Sequence, residues 1–101
     1  MQFLLNAYDG KDDGALDRRL AVREQHLALG NEMIAAGQIL YAAAILDDAD
    51  KMIGSMMVLE FANRDELDAW LKREPYVVGG VWQEIRVEPC RPGPRFVGLH
   101  P

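Results

Sequence analysis

One stretch carries most of the residues that could do chemistry. Between Arg18 and Gly37 (RRLAVREQHLALGNEMIAAG), the residues Arg19, Arg23, His26 and Gly30 recur at steps of four, three and four. At about 100° per residue this spacing puts them in one arc of a helix. Guanidinium groups bind carboxylate or phenolate oxygens. An imidazole titrates near neutral pH and can be base in one step and acid in the next. Leu16, Leu20, Leu27 and Ile34 form an apolar stripe on one flank of the arc, and Val22, Leu29 and Met33 form a second on the other. The arc is therefore expected to face the core, where charge is costly unless a cavity, a partner or a ligand receives it. The blander alternative makes His26 a core histidine satisfied by a backbone carbonyl. It has the arginines snorkelling to the surface and pairing with Asp9, Asp12 or Asp13. That version is preferred for Arg19, and both stand for Arg23.

The rest of the chain offers little competing chemistry. Cys90 is the one cysteine and sits between Pro89 and Arg91 with no histidine close in sequence. It cannot build an internal disulfide framework, and it is read as incidental rather than nucleophilic. Two histidines far apart leave no zinc spacing, so neither metal nor cofactor is expected. Ser55 lacks the G-x-S-x-G context of a hydrolase nucleophile. A net charge of −5 over 101 residues disfavours nucleic acid as a partner. No run has the length of a membrane span and no signal pattern opens the chain, so a cytoplasmic protein is expected. Met52, Met56 and Met57 read as sheet and interface filler, and Trp70 and Trp82 as packing. Tyr8, Tyr41 and Tyr76 read as core aromatics whose hydroxyls could reach a pocket. His100 is taken as idle.

The elements needed to position such a site follow in order. Residues 1–8 read as a strand closed by the turn pair Asp9-Gly10. A helix begins near Asp13 or Gly14 and stops at Gly37 in the C′ role. Residues 38–46 and 52–61 read as two strands joined by the acidic loop 47–51. Asn63 and Glu66 have the spacing of a capping box, opening a short helix that buries Leu67, Trp70 and Leu71 and ends before Pro75. Residues 75–80 read as a loop and 81–89 as a fourth strand. The domain is placed at 1–90 and an extended tail at 91–101. Strand, helix, strand, strand, helix, strand is the α+β ferredoxin-like βαββαβ plan, with both helices on one face of a four-stranded antiparallel sheet. The two middle strands are apolar on both faces, which leaves an apolar patch on the open side of the sheet. A homodimer through that open face is the simplest way to cover it.

Several stretches resemble the YciI-like (YCII-related) family of dimeric α+β barrel proteins: LLNAYDG at 4–10, VREQHLAL at 22–29, IGSMMVLE at 53–60 and EPYVVGGVW at 74–82. The resemblance implies the ferredoxin-like fold, a dimer, and a site built on a histidine–aspartate pair. Some relatives are linked to dehalogenation or lactone chemistry on aromatic compounds. Residue by residue, His26 matches the family histidine, and Gly54-Ser55 matches its Gly-Ser. Glu74 stands where the family usually has aspartate before Pro-Tyr-Val. Ala42-Ala43-Ala44 replaces the family's common Ala-Gly-Pro.

Two functions are carried forward. In the first, the chain is a cofactor-independent enzyme of lyase, hydrolase or dehalogenase type acting on a small anionic molecule, aromatic ones included. His26 is then the acid/base, Glu74 its orienting carboxylate, and Ser55, Arg23, Tyr76 and Gly54 the substrate contacts. In the second, the same dimeric fold is a small-molecule-binding or interaction module without chemistry.

Overall fold

The computed structural model describes residues 1–99. It runs β1 (Gln2–Asp9), α1 (Ala15–Ala35), β2 (Ile39–Leu46), β3 (Met52–Glu60), α2 (Arg64–Leu71), α3 (Pro75–Val78) and β4 (Trp82–Cys90), then a 3-10 turn at Pro94–Phe96. The sheet order β2-β3-β1-β4, with every neighbouring pair antiparallel, is the expected ferredoxin-like arrangement. His100 lies outside the described residues.

Alternation along the strands explains the two-layer packing. Phe3, Leu5 and Ala7 of β1 pair with Leu59, Met57 and Ser55 of β3, and all six are buried. Met33 of α1, Leu67 and Trp70 of α2, and Tyr76 of α3 complete this core. The intervening residues Leu4 and Val58, with Tyr41 on β2, share the opposite face. There a hollow of about 560 Å³ separates the sheet from Pro92, Phe96 and Leu99 of the tail.

The termini of α1 and α2 follow local chemistry. Gly37 takes φ 74°, which a glycine adopts without strain. The Gly37 N–H then bonds Ile34 O at 3.0 Å and the Gln38 N–H bonds Met33 O at 2.8 Å, the Schellman closure of a helix end. Asn63 caps α2 by accepting from the Glu66 N–H at 3.0 Å.

Four expectations need correction. The face that α1 turns to the sheet is Ala15, Arg19, Met33 and the half-buried Val22 and Leu29. Leu20, Leu27 and Ile34 are exposed, because the charged residues between the stripes found partners inside and took the inward position. Tyr8 and Tyr41 are exposed, and Tyr76 alone of the tyrosines lies in the core. The supposed loop after Pro75 contains the short helix α3, since proline at the first helical position has its φ preset and needs no hydrogen bond there. The tail is not extended throughout, because Pro94–Phe96 makes a 3-10 turn.

Candidate active site

Two polar clusters hang from the inward face of α1. The first is centred on Arg19, whose side chain is 4% exposed, beside Asp9 at 3%. Asp9 is the last residue of β1, not the turn residue the Asp-Gly pair suggested. Arg19 Nη1 donates to both Asp9 oxygens, at 3.0 and 3.1 Å, and Nη2 donates to Ser55 Oγ at 2.9 Å. The Trp82 indole N–H reaches the same Oγ at 3.2 Å. The guanidinium also lies 4.7 Å from the centre of the Tyr76 ring, a cation–π contact strengthened by desolvation. The surface role preferred for Arg19 is thus half right: it pairs with Asp9, but inside the protein.

The second cluster lies two turns along the helix. His26 Nδ1 contacts Glu74 Oε1, and the His26 ring stacks on Tyr76 with centroids 3.9 Å apart and planes 13° off parallel. Glu74 is 1% exposed. Pro75 forces the residue before it out of the helical region. Glu74 accordingly takes φ −63° and ψ 123° and caps α3, its Oε1 accepting the Tyr76 N–H at 3.3 Å. It is therefore the first residue of a new turn, not the exposed end of α2. Glu74 Oε1 thus meets both a backbone N–H and the imidazole Nδ1. With Nδ1–H committed to Glu74, neutral His26 carries its lone pair on Nε2. That nitrogen has no partner among the described residues and is not sealed from solvent.

Both clusters open on one cavity of about 180 Å³. Arg19, Arg23, His26, Ser55 and Tyr76 supply its polar wall, and Leu27, Ala42, Ala44 and Met57 much of the apolar one. Ligand pockets for drug-sized molecules run about 300–1,000 Å³, so this one suits a compact molecule. Arg23 is exposed at its edge and makes no ion pair among the described residues, which leaves it free for an incoming anion. Burial raises the Tyr76 phenol above its ordinary pKa, with the Arg19 and Arg23 guanidiniums pulling the other way, so Tyr76 is a neutral phenol at physiological pH. Larger hollows of about 710 and 560 Å³ lie elsewhere, but among the described residues no imidazole lines them.

The structure thus brings together His26, Glu74, Ser55, Arg23 and Tyr76. Gly54 does not line the cavity. A Cβ there would sit 2.4 Å from Ala7 O, so its glycine serves the close approach of β1 to β3. Trp82 was missed as part of the polar network, and the pairing of Arg19 with Asp9 was expected at the surface, where the structure has it buried. The available signal was an acid ending an apolar strand and a tryptophan at the start of another.

Comparison with known proteins adds an independent line. The family profile described as YCII-related domain matches residues 1–91. An uncharacterized protein of Haemophilus influenzae is 35% identical over 82 residues, covering 75% of this chain and 84% of its own. Protein YciI of Escherichia coli is 32% identical over 97 residues, covering 90% and 97%. Among solved structures, 5-chloro-2-hydroxyhydroquinone dehydrochlorinase of Burkholderia phenoliruptrix, in complex with 2,5-dihydroxybenzoquinone, superposes with TM-score 0.81 at 25% identity over 94% of this chain and 98% of that one. An antibiotic biosynthesis monooxygenase, at TM-score 0.53 and 13% identity over 90% and 98%, shares the fold.

Proposed function

This chain belongs to the YCII-related family, and from that premise we propose that it is an acid–base enzyme acting on a small anionic, ring-hydroxylated molecule. The observation that carries the proposal is the contact of His26 Nδ1 with the buried Glu74 carboxylate at the wall of the cavity. Glu74 holds the imidazole in the tautomer whose Nε2 takes a proton, and it stabilises the imidazolium that results. A proton taken from a ring hydroxyl turns that oxygen into a carbonyl, and the imidazolium returns the proton to the ring carbon that bears the leaving group. Loss of a second hydroxyl proton to the imidazole then forms a second carbonyl, shifts the ring double bond and expels the group as its anion, or without a leaving group the sequence stops at the moved double bond. Arg23 raises the local concentration of the anion, and Tyr76 backs the imidazole ring.

The dehydrochlorinase supports this class of chemistry, since it has the same fold and a hydroxylated quinone as its ligand. We further propose that the protein is a cytoplasmic homodimer joined through the open face of the sheet, where Leu4, Tyr41 and Val58 otherwise meet solvent or the tail. The test is chloride release from chlorinated hydroxyhydroquinones, 5-chloro-2-hydroxyhydroquinone first. Wild type should turn over, and His26→Ala should lose about 10²–10⁴ of the rate with its fold intact. Full turnover by His26→Ala would sink the proposal. Binding without turnover by wild type would replace it with the non-catalytic module.

A further inference from the structure

The hydrogen bonds around Ser55 specify what a ligand must bring to it. A serine hydroxyl has two lone pairs and one proton. Ser55 Oγ receives Arg19 Nη2 at 2.9 Å and Trp82 Nε1 at 3.2 Å. Guanidinium and indole N–H groups are donors only, so both lone pairs are filled and neither neighbour can take the serine proton. Among the described residues no acceptor receives that proton, and Ser55 lines the cavity. Arg19 is in turn held in place by both oxygens of Asp9. Ser55 therefore cannot rotate to suit its guest.

We propose that Ser55 is an obligate hydrogen-bond donor into the cavity, polarised by Arg19, and that it selects ligands presenting a bare oxygen acceptor: a phenolate, an enolate or a quinone carbonyl. Arg19 and Trp82 act as positioning residues through Ser55. The same accounting removes Ser55 as a nucleophile, since no neighbouring base takes its proton. His26 Nε2 is the complementary acceptor in this cavity. A ligand satisfying both groups carries an oxygen acceptor and a hydroxyl donor, which is the pattern of a hydroxyquinone or of a singly ionised polyhydroxy ring. This inference deepens the proposed function and rests on its reading of the cavity as a ligand site.

The experiment compares two probes of one shape by titration calorimetry: pentafluorophenolate, with an acceptor oxygen, and pentafluoroaniline, with an N–H₂ donor in its place. Wild type should prefer the phenolate. Charge attraction by Arg23 contributes part of that preference and survives in Ser55→Ala. The part due to the serine donor, about 10- to 100-fold, should be lost. Because Ser55→Ala also strips Arg19 and Trp82 of their acceptor, Trp82→Phe serves as the second variant. It frees one lone pair on Ser55, and the preference should narrow through tighter aniline binding. Ser55→Thr, which keeps the oxygen, should retain the wild-type ratio. An unchanged ratio in both Ser55→Ala and Trp82→Phe overturns the inference and leaves the acid–base reading standing. Failure of wild type to take up either probe at millimolar concentration overturns both. A collapsed ratio in Ser55→Ala beside undiminished turnover by His26→Ala supports the inference and sinks the acid–base reading alone.

Discussion

Arg19 and His26 sit two turns apart on the same helix face, each against a carboxylate that is almost wholly buried. Arg19 is closed in: Nη1 and Nη2 are committed, and its side chain is 4% exposed. His26 spends one ring nitrogen on Glu74 and keeps the other accessible, with its side chain at 16%. The difference separates two uses of a buried charge. A pair whose polar atoms nearly all face protein groups holds a structure together and presents nothing reactive. A pair with one unused atom facing a cavity can bind and move a proton. The Arg19 cluster nonetheless serves the other, because it fixes the direction of Ser55 and flanks Tyr76, on which His26 stacks.

Breaking the closed pair should have the largest effect. In Asp9→Ala the guanidinium of Arg19 stays buried without a counter-ion, a loss of about 3–5 kcal/mol. For a domain of this size that lowers Tm by roughly 12–40 °C, a large share of a typical stability of about 5–15 kcal/mol. Adding Arg19→Met to Asp9→Ala should recover much of the loss, because a buried charge is replaced by an apolar chain of similar length. Thermal melts of the single and double variants read this directly. A single variant within about 1 kcal/mol of wild type would mean that the pair is not closed at all.

The open pair should respond in rate before stability. Glu74→Gln keeps the side-chain length and an oxygen for the Tyr76 N–H, but not the negative charge that stabilises the imidazolium. Turnover should fall about 10- to 100-fold, with a change in stability of about 1 kcal/mol or less. Rate assays beside melting curves separate the two. A melt as damaged as that of Asp9→Ala, with turnover intact, would erase the distinction between the pairs.

How much of this was legible in the sequence differs between fold and site. The strand–helix order, the Asn63 cap and the Gly37 stop are set by local chemistry, so they were readable from residue types a few positions apart. The exposure of Leu20, Leu27 and Ile34 was not, because which stripe faces inward depends on whether Arg19 meets Asp9, a contact made through the fold. His26 and Glu74 were named from the residues and the family resemblance together, and the structure supplies their separation. Glutamate in place of the family's usual aspartate moves the carboxylate about one methylene further from the backbone. Here the glutamate carboxylate contacts the imidazole directly, so the longer side chain suits this backbone. Trp82 reads as packing in any pattern analysis, since an indole N–H aimed at one serine has no periodicity.

A solvent-accessible pair between the same helix and the loop before it supplies the smallest effect and the control for both others. Arg18 is bidentate to Asp12, with Nη1 at 2.8 Å and Nη2 at 2.6 Å, and the Gly14 N–H also donates to Asp12 at 3.2 Å. The Arg18 hydrogen bonds hold the Asp12 carboxyl well below the usual carboxylate range. A depressed carboxylate contributes its stability above the unfolded-state pKa, about 3.9, and loses it as pH falls below that value toward the folded one. Near neutral pH the contribution is fully present, but water and salt screen it. Asp12→Asn should therefore leave turnover unchanged and lower Tm only slightly at neutral pH. The small difference from wild type should close on acidification and again in molar salt. The Asp9→Ala deficit should persist in the same salt, because ions do not reach a pair that the protein encloses. Melts at low and high salt decide it, and equal salt sensitivity in the two variants would show that Arg19 is no better enclosed than Arg18.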